Sequence, residues 1–335
     1  MSISDASDES WRPPTVMDPS TTFRHKVRAE ELTLAITPND DVFVLAHFGV
    51  PHFEVKSWRL RIEGLVNKPL ALTIDDIRRF PKIEIESFIK CAGFPHDPTI
   101  ATRSVSNAVW GGADLREVLD AAGLDPAAQY LWASAPDHGT YARWGADHYR
   151  KDVPVTRVRE GSVLLAYEMN GAPLPQTHGF PVRLFIPGFY GTNSVKWLCR
   201  LEASRERAPG IFTNELYNDP APDGGTAPVW QAAPEALIVA PADHGRVEPG
   251  RHEIWGWCWG DHAIAIVEIS LDGGQSWQRA EVEPRRQMAW QRFSLLADCA
   301  PGPLTIMARA TDTRGVTQPS RDARNAVHGI KVSVG

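Results

Sequence analysis

Phe88-Ile89-Lys90-Cys91-Ala92-Gly93 runs from an apolar stretch into a cysteine and a glycine, and the reading of that cysteine decides the fold. Cys91 has no CxxC neighbour, so it cannot join a zinc knuckle. One soft thiolate can still give a single protein bond to a metal whose other ligands come from an organic cofactor. Far downstream stand His178-Gly179-Phe180-Pro181-Val182-Arg183 and Gly191-Thr192-Asn193-Ser194-Val195-Lys196-Trp197. Their His, Arg and Lys are the residue types that hold the anionic groups of such a cofactor.

The rest of the chain sets the frame for this cysteine. Its 335 residues, 43% hydrophobic and 23% charged, suffice for two cores of an ordinary globular protein. The net charge of -6 supplies no basic field for a phosphate backbone, so nucleic acid is not an expected partner. No apolar run approaches the roughly 18 residues that cross a bilayer, so no membrane insertion is expected. The polar, acidic start Met1-Ser2-Ile3-Ser4-Asp5 lacks a basic n-region. Four cysteines, Cys91, Cys199, Cys258 and Cys299, follow no pairing rhythm. Together these favour a cytoplasmic protein, or a periplasmic one if a leader is missing.

Residues 1–22 mix Asp, Ser, Pro and Thr and read as an irregular arm. Trp58-Arg59-Leu60-Arg61-Ile62-Glu63-Gly64 alternates apolar and charged positions as a half-buried strand does. Thr73-Ile74-Asp75-Asp76 has the shape of a capping box for a short helix ending near Pro81. Leu115, Val118, Leu119 and Ala122 share one helical face, with Gly123 as a stop. Further strands are expected at 131–133, 163–168, 182–186 and 195–201. Residues 219–234 read as a linker rich in Pro, Gly and Asp. Residues 235–335 then give about seven short strands, with Asp272-Gly273 as a hairpin signal, and suggest a sandwich. Trp255, Trp257 and Trp259 alternate along one strand face, and a place in the sandwich core is favoured over an exposed stripe.

Six blocks together carry a resemblance. They are Cys91-Ala92-Gly93, 107–112 (Asn-Ala-Val-Trp-Gly-Gly), 164–171 (Leu-Leu-Ala-Tyr-Glu-Met-Asn-Gly), His178 to Arg183, 194–198 (Ser-Val-Lys-Trp-Leu) and 270–277 (Ser-Leu-Asp-Gly-Gly-Gln-Ser-Trp). In this order the chain resembles the sulfite oxidase family of molybdopterin enzymes. The resemblance implies an α+β fold: a mixed cofactor domain over 23–218 and, after the linker, an all-β immunoglobulin-like sandwich over 235–335 that makes a homodimer. It also implies a molybdenum-molybdopterin cofactor, with Cys91 as metal ligand. Phe43, His47, Asp137, His178, Arg183, Ser194, Val195 and Lys196 match the cofactor-binding positions. Tyr149 matches an active-site tyrosine, and Tyr149 and Cys91 are the expected catalytic residues.

The departures bear on substrate. Where the family presents arginines that hold the sulfite dianion, this chain has Leu45-Ala46-His47 and Phe94-Pro95-His96. Leu45, His96 and Arg150 are expected in the substrate pocket, and Arg103, Arg150, Lys151 and His96 are the possible substitute cations. The reading is a two-electron oxygen-atom transfer enzyme with a less cationic, more apolar pocket. It would act on a small oxo-donor or acceptor and exchange electrons with a separate protein, since no haem motif is present. The alternatives are a true sulfite oxidase with substitute cations, an S- or N-oxide reductase, and a degenerate binding protein of the same fold. A hydrolase built on His47, His52, His96, His138 and His148 is disfavoured, because none of these forms a His-x-x-x-His pair.

Overall fold

The computed structural model describes residues 15–16, 22–94, 97, 99, 102–141, 143–221 and 223–335. His96, Pro95 and most of the expected arm at 1–22 lie outside the described residues; Thr15–Val16 pairs with Pro51–His52.

Strands dominate, so the expected α+β mixture is lopsided. The α-helices among the described residues are Ile74–Ile77, Leu115–Ala122, Val155–Arg159 and Ile211–Asn214. The first is closed by Thr73, whose hydroxyl accepts from the Asp76 amide while Asp76 caps the Thr73 amide in return. Leu115–Ala122 buries Leu115, Val118, Leu119 and Ala122 and stops at Gly123, whose φ of 67° is the left-handed turn glycine permits.

Two sheets build the first unit. One runs in the order Tyr149–Pro154, Tyr130–Ala135, Arg200–Ser204, Leu60–Gly64, Leu70–Leu72. The other runs Ala172–Pro173, Leu164–Met169, Val105–Asp114, Lys82–Lys90, with Arg183–Phe185 also on Leu164–Met169. Gly112 lets the long strand Val105–Asp114 lie against its neighbour, because a Cβ there would stand 2.3 Å from the Leu165 carbonyl oxygen. The strand expected at 195–201 is only Arg200–Ser204; before it, Trp197 takes φ 51° and the backbone loops instead of pairing.

The C-terminal residues form two facing sheets, Glu235–Ala240, Gly250–Trp259, Gln291–Cys299, Glu281–Val282 and Arg246–Val247, His328–Val334, Gly302–Asp312, Ile264–Ser270, Gln278–Arg279. Between them pack Ile254, Cys258, Val267, Ile269, Phe293, Ile306 and Ile330. The tryptophan stripe is placed otherwise than expected. Strand alternation sends Ile254 and Cys258 into this core and turns Trp255, Trp257 and Trp259 the other way, into the hydrophobic cluster of the first unit. Trp257 stacks on Trp290 at 4.6 Å and donates its indole N–H to the Leu32 carbonyl at 2.7 Å. The expected linker at 219–234 is partly ordered, its strands Asn218–Pro220 and Thr226–Pro228 pairing as a hairpin.

Candidate active site

Cys91 follows the last residue of the strand Lys82–Lys90, where the chain leaves the sheet. Facing it are the loop after Tyr130–Ala135, the start of Tyr149–Pro154, the strand Val44–Ala46 and the turn at 191–197. They enclose a pocket of about 660 Å³ between atoms, its open mouth included. Its lining brings together Phe43, Leu45, His47, Cys91, Asp137, Tyr149, His178, Arg183, Ser194, Val195 and Lys196, residues spread over more than a hundred positions of sequence.

The Cys91 sulfur is partly exposed to this space and accepts the Gly93 amide at 3.4 Å. Its loop is gripped from the C-terminal unit. Arg324 donates to the Ala92 and Phe94 carbonyls at 2.8 and 2.9 Å, and Lys90, paired with Glu235, donates to the Cys91 carbonyl at 3.1 Å.

The cations of the pocket are held differently. Arg183, 3% exposed, donates to the His178 and Ser194 carbonyls at 3.1 and 2.9 Å, lies over the Trp110 ring, and keeps a buried Nε with no partner. Burial lowers its pKa to about 9. Lys196 uses two of its three N–H bonds on the Leu45 and Thr177 carbonyls and lies over the Trp197 ring. Burial, with Arg183 beside it, pushes its ammonium down toward neutrality. Asp137 is buried with one carboxylate oxygen unpartnered, and burial raises its pKa. His47 and His178 are both driven down to about 3 by burial and then by neighbouring cations, so both rings are neutral at pH 7.

Tyr149 is buried, and its hydroxyl donates to the Thr192 carbonyl at 2.7 Å. Burial raises its pKa, so the phenol stays protonated and acts as a donor. Its ring stacks on His47 at 5.5 Å, and the His47 Nε2 meets the Tyr217 hydroxyl at 2.8 Å.

These residues fit an anionic ligand with polar edges. The pocket offers an unsatisfied guanidinium N–H, a spare ammonium N–H, two neutral imidazoles and a thiol, with Asp137 as the one carboxylate of the lining. Gly179, at φ 108°, keeps the cradle tight: a Cβ there would stand 3.0 Å from Arg183 Cβ and 3.1 Å from Lys196 Cα.

Several expectations are corrected. Arg150 is not in this pocket, because successive residues of a strand face opposite ways; Tyr149 points in, while Arg150 donates to Ser134 and lines a separate cavity with Arg200 and His148. Nor do Arg103 and Lys151 reach it, and His96 lies outside the described residues. Arg103 pairs with Glu235 at 2.8 Å, and Lys151 is buried against the Phe212 carbonyl at 2.8 Å. The Phe43 amide is spent on Ser106, which leaves its carbonyl, and the Ser194 hydroxyl accepts the Ile186 amide while keeping its own O–H to donate. Sequence reasoning missed Tyr217, Thr192 and Tyr141. Tyr217 lies 170 positions from His47, and only the three-dimensional fold joins them.

Comparison with known proteins agrees with this construction. Residues 47–212 match the model of an oxidoreductase molybdopterin binding domain, and 227–333 that of a Mo-co oxidoreductase dimerisation domain. The chain is 34% identical to sulfite oxidase of Gallus gallus, across 85% of this chain and 68% of that protein. It is 34% identical to the mitochondrial sulfite oxidase of Mus musculus, across 89% of this chain but only 62% of that protein's length. The sulfane dehydrogenase SoxCD of Paracoccus pantotrophus superposes with a TM-score of 0.79 at 26% identity, covering 99% of this chain and 93% of that one. This chain belongs to the sulfite oxidase family of molybdopterin oxidoreductases.

Proposed function

We propose that this protein moves an oxygen atom to or from a small sulfur- or nitrogen-centred substrate in a two-electron step. The carrying observation is the convergence of Cys91, Tyr149, His47 and under-compensated buried cations on one pocket. Cys91 would bind the metal; His47, His178, Arg183 and Lys196 would bind the pterin and its phosphate, with backbone from Phe43 and 194–195, and Asp137 would accept a ring N–H. When bound, the molybdenum cofactor supplies two-electron oxygen-atom transfer. Tyr149 holds a proton at its hydroxyl across the working pH range, and that O–H would turn from the Thr192 carbonyl to reach the reacting oxygen. Neutral His47 packs against that ring and fixes its angle. Leu45 gives one wall an apolar surface.

The substrate class draws support from relatives. SoxCD is named for sulfane oxidation, and a relative from Hordeum vulgare, 27% identical over 77% of this chain, is named for nitrate reduction. A homodimer through 235–335 is part of this reading, as are an immunoglobulin-like form for that sandwich, a separate electron-transfer protein and a cytoplasmic setting. The dimerisation-domain match supports the first and the unpaired cysteines the last.

The test is the metal and pterin content of protein purified from molybdate-fed cells, followed by turnover of sulfite, dimethyl sulfoxide and N-oxides. Near-stoichiometric molybdenum with released pterin is expected; a protein that binds neither overturns the reading.

A further inference from the structure

The strand Phe23–His25 pairs antiparallel with Val44–Ala46, and Arg24 stands directly across from Leu45. Opposed residues of an antiparallel pair project from the same face with their Cβ atoms about 5 Å apart. Leu45 and His47, two residues on, both line the pocket, so the side chain of Arg24 rises beside its mouth. Arg24 is exposed. Its charge bears on the Tyr141 hydroxyl, and the Tyr141 ring meets His47 edge-on at 4.7 Å. Its charge is felt at the His47 ring. Among the described residues no carboxylate pairs with Arg24, whereas Arg103, Lys151 and Arg150 are all engaged elsewhere.

We propose that Arg24 is a specificity-determining residue: from a neighbouring strand it supplies the cation that Leu45 lacks, and it selects substrates with a compact anionic head. The cation stands on the strand beside Leu45 instead of at Leu45 itself. A substrate that suits both features turns a compact negative head toward Arg24 and an apolar portion against Leu45, as a small organic sulfinate or thiosulfonate anion does, and its sulfur keeps a lone pair for oxygen. The planar guanidinium fork suits two oxygens of such a head at once. This rests on the oxygen-transfer reading for the nature of the reaction, but the placement of charge can be measured without any metal.

The first experiment uses the full chain from molybdate-free cells. Alkylation of Cys91 is timed by mass spectrometry with anionic iodoacetate and with neutral iodoacetamide; Cys199, Cys258 and Cys299 are buried and serve as silent controls. At low salt, Arg24→Met is expected to lower the iodoacetate-to-iodoacetamide rate ratio about threefold to tenfold, with the drop vanishing near 1 M salt. Arg24→Lys, which keeps the charge, should retain most of the ratio. The second uses the holoenzyme, with sulfate as a competitive inhibitor: the inhibition constant should rise about tenfold in Arg24→Met and less in Arg24→Lys. An unchanged alkylation ratio, or sulfate inhibition indifferent to Arg24, overturns the assignment. Absence of molybdenum would overturn the oxygen-transfer reading and leave the alkylation result to stand or fall alone.

Discussion

Arg183 and Arg324 are buried alike, at 3% and 4% exposure, and they are satisfied in opposite ways. Arg324 bonds the Asp219 carboxylate through Nε at 2.8 and 3.0 Å and gives Nη1 to two carbonyls. Arg183 has two carbonyls, an aromatic face and a bare Nε. Beside Arg324, Lys90 and Arg103 share the fully buried Glu235. Beside Arg183, Lys196 bonds two carbonyls and lies over the Trp197 ring, with the buried Asp137 acting on it only from a distance. A buried cation without a carboxylate opposes folding, so its presence marks a place where negative charge arrives from outside the chain. A buried cation with one belongs to the architecture, here to the grip of the C-terminal unit on the loop after Cys91.

The contrast breaks most visibly at Glu235. Glu235→Ala strands Lys90 and should cost about 3–5 kcal/mol, read as a lower denaturant midpoint in cofactor-free and loaded protein alike. A loss below about 1 kcal/mol would show that Lys90 is content with its carbonyls and that the two regions do not differ as argued. The mirror experiment is Arg183→Met. Removing a cation that lacks a counter-charge should stabilise the cofactor-free chain by about 1–3 kcal/mol, while pterin retained on purification falls on the order of a hundredfold. A variant that is destabilised and still keeps its pterin would reverse the roles.

The difference between the regions also explains what could be read from the sequence. The pocket residues Cys91, His178, Arg183 and Lys196 sit in compact blocks, and a block can be matched without knowing its partners. The short helices at Thr73 and Gly123 were legible because capping chemistry is local. Pairings between distant segments leave no such trace. Arg24 gains its meaning only from lying opposite Leu45, and the tryptophan stripe only from the unit it faces. Arg150 failed for a smaller reason: it is one residue out of phase with Tyr149, and the side-chain period of a strand is two.

Acid titration sharpens the comparison further. His178 is held down to about 3 by burial and by Arg183, whereas an unfolded chain protonates near 6.5. Between those values the unfolded state binds a proton that the native state refuses. Stability therefore falls as pH drops through the window, and above pH 6.5 this group contributes nothing. At pH 4.5 the share of His178 is about 2–3 kcal/mol, and His178→Leu should remove that share in cofactor-free protein and leave the like share of His47. In loaded protein the bound anion favours the imidazolium, so the slope from pH 6.5 to 4.5 should be shallower. Equal slopes with and without cofactor would mean that the ligand's charge does not reach His178.

Tyr149 offers the smallest effect and the narrowest test. Its hydroxyl carries no charge to compensate, and the Thr192 carbonyl already holds it, so Tyr149→Phe should leave the fold within about 1.5 kcal/mol and leave pterin content unchanged. What it removes is one donor at the pocket wall that can turn from Thr192, worth about tenfold in kcat if the proton meets the reacting oxygen. Because burial keeps the phenol protonated, the wild-type pH–rate profile should show no tyrosine limb below pH 10, and the variant's profile should keep the same shape at a lower height. A profile that changes shape would mean that Tyr149 gives up its proton during turnover, which would require a cation close enough to offset its burial.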